Sequence, residues 1–156
     1  MRSPRIGQSA FSLIELMLVV AVLAAIALIA VPTYTGVVER TRVSQAVRDI
    51  AEVSMALERH RTLAGGYPNS LADLRGSFPD ADPWGRPYRY LGIDVVPPPP
   101  RGQVRRDRNL NPLNRDFDLY SVGPDGVTQT QLTARFARDD IVRAGNGSFI
   151  GRAEDH

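Results

Sequence analysis

The 156-residue chain has no cysteine and no lysine. Without cysteine a disulfide framework and a thiolate metal site are both excluded, so its loops must be tied by other means. All nineteen basic residues are arginine. Histidine is nearly absent as well: His60 and His156 are the only two. No zinc-ligand spacing, nucleophile–base arrangement or phosphate-binding loop is visible, and the chain is read as non-enzymatic. The net charge of +2 is also less than it seems, because Arg2 and Arg5 lie in the first ten residues. Beyond them seventeen arginines face seventeen acids. Such a balanced chain has no electrostatic reason to bind nucleic acid.

What the sequence does have is one long apolar run. Residues 1–10 (MRSPRIGQSA) are polar and basic, and the 21 residues Phe11–Val31 that follow carry a single charge, Glu15. At ~1.5 Å per residue the run spans roughly 30 Å, the thickness of a bilayer's hydrocarbon core. Arg2 and Arg5 hold the N-terminal side in the cytoplasm by the positive-inside rule. A secretory signal would place its small-residue cleavage site after the apolar core. Here the small residue, Ala10, precedes it, so a cut at Ala10 removes the charges and leaves the anchor. A carboxylate inside a membrane helix is costly and therefore a functional candidate. The alternative is that Glu15 lies close enough to the interface to reach water.

Ala10-Phe11-Ser12-Leu13-Ile14-Glu15-Leu16 resembles the processing signature of type IV prepilins and type II secretion pseudopilins, with Pro32 also in the family's register. The resemblance implies cleavage between Ala10 and Phe11 by a prepilin peptidase and N-methylation of Phe11. It also implies a filament-assembly role for Glu15, paired with the methylated amine of a neighbouring Phe11. Ala10 stands where the family usually has glycine; a cut after Gly7 would put Glu15 at the wrong mature position.

The helical pattern continues past Pro32. Val43, Ala46, Val47, Ile50, Val53 and Leu57 recur at three- and four-residue spacing and predict one apolar stripe. Gly65-Gly66-Tyr67-Pro68 ends the helix, Ser70–Leu74 forms a short turn, and Asp82–Pro87 is a turn-rich link. Tyr88–Leu91 and Phe117–Ser121 read as strands, with an irregular loop over 92–115. That loop holds Arg101, Arg105, Arg106, Arg108 and Arg115. The plain reading of this excess is a solvated loop; the other is a partner-binding patch.

Gly66-Tyr67-Pro68, Asp82–Leu91 and Asp116–Gly126 together resemble the major pseudopilin (G subunit) of type II secretion. The fold this implies is α+β, the type IV pilin fold: a long N-terminal helix, transmembrane in its first half, packed on a small antiparallel sheet with a loop-rich C-terminal region. The organisation expected is a leader over 1–10, a transmembrane and polymerisation helix over 11–33, its periplasmic continuation over 34–64, and a globular domain over 65–156. Calcium is implied too, held by the Asp125 side chain, the carbonyls of Val122 and Val127, and the acids Asp139 and Asp140. Read from spacing alone, Asp125-Gly126 is a turn and Asp139-Asp140 a cap on Ile141 onward.

The function expected is that of a structural subunit in a periplasmic pseudopilus, supporting type II-like secretion. Its partners would be copies of itself, minor pseudopilins, the prepilin peptidase, the inner-membrane assembly platform and the lipid bilayer. The alternative is a minor pilin of a type IV pilus.

Overall fold

The computed structural model describes residues 12–76, 78–108 and 110–156. The chain divides into two units, Met1–Glu39 and Arg40–His156.

In the first unit the apolar run is helical. Helix α1 begins at Leu13 and extends to Ala64. It is long and apolar enough to cross a membrane. From Ser12 to Ile29 every residue is exposed, so this segment has no buried face.

In the second unit the helix becomes one-sided, as the periodicity predicts. Ala46, Ile50, Val53 and Leu57 are fully buried, with Val43 and Val47 packed beside them. Gly65 ends α1 with φ +80, a left-handed conformation that glycine takes without a Cβ penalty. Ser70 then caps the turn Leu71–Asp73: its Oγ accepts from the Ala72 amide while the Asp73 carboxylate accepts from the Ser70 amide.

Four strands follow, β1 (Arg89–Gly92), β2 (Phe117–Ser121), β3 (Ile141–Ala144) and β4 (Phe149–Arg152). They form one antiparallel meander in the order β1-β2-β3-β4. The register sorts the side chains onto two faces. Phe117, Leu119 and Ile141 meet the α1 stripe, together with Tyr67 and Tyr88. Val142 and Ala144 face the other way, onto Leu113, Leu132 and Ala153 from the loops. Each large apolar side chain so buried contributes about 1.5–3 kcal/mol. The sheet is therefore the middle of three layers, helix, strands and loops, which is why β2 and β3 are almost wholly buried.

β1 starts one residue later than the predicted Tyr88, and β2 matches its predicted bounds. The β3–β4 hairpin goes beyond the strands predicted. Its Gly145-Asn146-Gly147 turn has positive φ at all three residues, the conformation that Asn-Gly sequences favour.

Candidate assembly segment and the loop after β2

Glu15 lies in the first turn of α1 and is exposed. A carboxylate in a first turn is favoured by the positive end of the helix dipole, which offsets part of its cost in an apolar segment. A lone charge in an apolar run does not by itself disclose this helix-end contribution. The expected cleavage and methylation positions, Ala10 and Phe11, lie outside the described residues.

The second candidate is the loop that leaves β2. Asp82 anchors it from below: one carboxylate oxygen accepts from the amides of Trp84 and Arg86 at 3.1 and 2.9 Å, and the other from Ser121 Oγ at 2.5 Å. Arg86, so positioned, donates to the carbonyls of Gly123 at 2.6 Å and Pro124 at 3.2 Å. Gly123 has φ +64, and a Cβ there would lie 2.4 Å from the Asp139 carbonyl oxygen. The loop and the segment before β3 are thus in direct contact, and the Asp125 amide donates to Asp139 Oδ2 at 3.3 Å.

The structure thus places the Asp125 backbone amide against the Asp139 carboxylate. Asp125 uses Oδ1 to accept from the Val127 amide at 2.8 Å, closing its own turn. Val122 is buried, and Val127 is exposed. Asp140 is engaged elsewhere. Its fully buried Oδ2 accepts from Arg105 Nη2 and from Thr128 Oγ1, both at 2.5 Å. Burial pushes its carboxyl up to about 6 against the pull of Arg105 and Thr128.

Calcium requires six to eight oxygens converging on one point, with enough negative charge to replace its hydration. Among the described residues no group of three or more acidic or histidine side chains is placed to share a metal ion. One guanidinium occupies an oxygen of Asp140, and another takes the carbonyls of Gly123 and Pro124, which lie in sequence between the implied ligands Val122 and Val127. The implied ligand set does not fit calcium as arranged.

Arg105 also corrects the reading of the arginine-rich loop. Arg101, Arg106, Arg108 and Arg115 are exposed, but Arg105 is buried, 4.0 Å over the Tyr120 ring. A second buried arginine, Arg143, forms a two-pronged pair with Asp116 at 2.9 and 2.6 Å and lies 4.0 Å over Phe117. Nothing in the local sequence marks Arg143 as interior. The available signal is compositional: a loop-rich domain without cysteine whose only strong cation is arginine.

Comparison with known proteins agrees with this architecture. The chain is 31% identical over 127 residues to the type II secretion system core protein G of Klebsiella pneumoniae, covering 79% of this chain and 89% of that one. It is likewise 31% identical over 143 residues to the protein of the same name from Escherichia coli K12, covering 88% and 92%. A fimbrial protein of Pseudomonas aeruginosa is 43% identical, but over only 52 residues, a third of this chain. No family model matches the chain, and no solved structure does. An apolar N-terminal helix, a helix-on-sheet domain and similarity along nearly the whole length of the two core protein G relatives lead to one conclusion: the chain belongs to the type II secretion system core protein G family of pseudopilins.

Proposed function

We propose that the chain is the repeating subunit of a periplasmic pseudopilus that supports type II secretion, in a structural and not a catalytic role. The observation that carries this is the segment Ser12–Ile29, exposed and apolar on all sides, with one carboxylate in its first turn. A surface of that kind is covered by lipid before assembly and by identical helices afterwards. The fimbrial likeness covers only a third of the chain and does not reach the sheet's full extent, which favours the pseudopilus over the pilus.

In this reading residues 1–10 remain cytoplasmic until a prepilin peptidase cuts between Ala10 and Phe11 and methylates the new amine. The domain from Arg40 onward lies in the periplasm. Glu15 meets the amine of a neighbouring Phe11 and sets the height at which a subunit joins, because pairing removes most of the cost of a lone buried carboxylate. An assembly platform in the inner membrane and minor pseudopilins complete the machine.

The test combines intact mass with filament imaging in cells that carry the secretion system. The mature protein is expected to begin at methylated Phe11, and Glu15→Ala to remain membrane-inserted while filaments fall at least tenfold. A mature start at Gln8, or normal filaments from Glu15→Ala, would overturn the assignment of these residues.

A further inference from the structure

Arg105 sits in a stretch without regular structure, yet its side chain is only 3% exposed. Three segments converge on it. Its Nη2 meets Asp140 Oδ2 just before β3, and its Nη1 donates at 3.1 Å to Thr128 Oγ1, whose hydroxyl donates in turn to the same Asp140 oxygen. The Arg105 amide donates to Asp118 Oδ2 on β2 at 2.7 Å, and its carbonyl accepts from the Leu113 amide at 2.7 Å. Arg86 does related work on the adjacent turn through the Gly123 and Pro124 carbonyls. A Cβ on Gly126 would lie 2.7 Å from the Arg86 guanidinium, so the loop closes tightly around it.

These are the kinds of oxygen a hard divalent ion would gather: a buried carboxylate and successive loop carbonyls. We propose that in this chain guanidinium groups hold that position, with Arg105 neutralising Asp140 and Arg86 capping the loop, so that the region folds without calcium. The leftover polar atoms support this. Asp140 Oδ1 and Arg105 Nε are both buried without a hydrogen-bond partner. One is an acceptor and the other a donor, on the two members of one ion pair. A cation site made of oxygens would leave acceptors alone. Moving from a single-pronged to a two-pronged pair would satisfy both atoms. A divalent ion added at Asp140 would meet the Arg105 guanidinium as a like charge.

The test is a thermal melt of the full-length protein in detergent micelles, with calcium or with a calcium chelator. A resident site filled at a hundredfold over its Kd would raise Tm by roughly 10 °C. The expected result is a shift of less than about 1 °C. Arg105→Met, which keeps the apolar stem, is expected to lower Tm by roughly 10 °C in both buffers. Asp140→Asn is expected to lower it too, and the double variant by less than the sum. A calcium-dependent rise in the wild-type Tm, or an Arg105→Met protein that melts like wild type, would overturn the proposal. Should Arg105→Met fail to fold, the wild-type melts with and without calcium, together with Asp140→Asn, still decide between the two cations.

Discussion

Tyr88 donates its hydroxyl to Asp49 Oδ2 at 2.8 Å, joining the residue just before β1 to the buried face of α1. Both residues are interior, Tyr88 at 6% and Asp49 at 8% exposure. Burial, reinforced by the bond to Asp49, pushes the Tyr88 phenol well above its ordinary range, so the group stays a donor at any physiological pH. Tyr88→Phe keeps the ring and its packing but removes the donor. A hydrogen bond to a charged acceptor is worth about 1.5–3 kcal/mol, and its loss leaves a carboxylate poorly compensated inside the domain. For a domain of this size that loss lowers Tm by roughly 5–12 °C. The assay is a near-UV circular dichroism melt of the full chain in detergent, on the wild type, Tyr88→Phe, Asp49→Ala and the double variant. The two single losses should not add, because each removes the same bond; the coupling should be about the size of that bond. A Tyr88→Phe protein that melts within about 1 °C of wild type, or losses that add in full, would refute the claim that this bond fastens helix to sheet.

Two more predictions concern the loop and the tyrosines. Gly123→Ala forces a side chain onto the Asp139 carbonyl at φ +64 and should cost more than about 1 kcal/mol. Gly66→Ala, where a Cβ meets nothing within 4 Å, is the control that should hardly change the melt. Burial, ahead of all other causes, raises Tyr67 to about 12 and raises Tyr90 and Tyr88 as well. The folded chain then keeps phenol protons that the unfolded chain releases near ~10. The unfolded state binds fewer protons above that pH, so stability should fall as pH rises past it. A spectrophotometric titration should show these three tyrosines ionising late and together with unfolding; normal early titration would refute their burial.

Much of this was legible in the sequence. The apolar run and the stripe from Val43 to Leu57 are periodic signals of many residues, and each appears in α1 as expected. Gly65, Ser70 with Asp73, and Phe117–Ser121 were readable because each uses a local rule of capping or alternation. β3 and β4 escaped for a physical reason. Four residues buried on both faces, Ile141 to Ala144, show no alternation, and the sequence cannot announce that loops will cover the second face. The Asn146-Gly147 dipeptide is the one local signal for that hairpin. The interior arginines were harder still, since Arg105 and Arg106 are neighbours of the same type and only the fold decides that one is buried and the other exposed. The engagement of Asp140 by Arg105 depends on a contact across 35 positions of sequence.

The first segment of α1 has one more consequence, for supply. With apolar side chains exposed all the way from Ser12 to Ile29, it has no side that water can wet at low cost. Such a helix is stable in lipid or among its own kind, with no dissolved stock between the two. On the function proposed above, departure from the bilayer and arrival in the polymer then have to be one event. On that reading, growth would draw directly on the subunits held in the membrane.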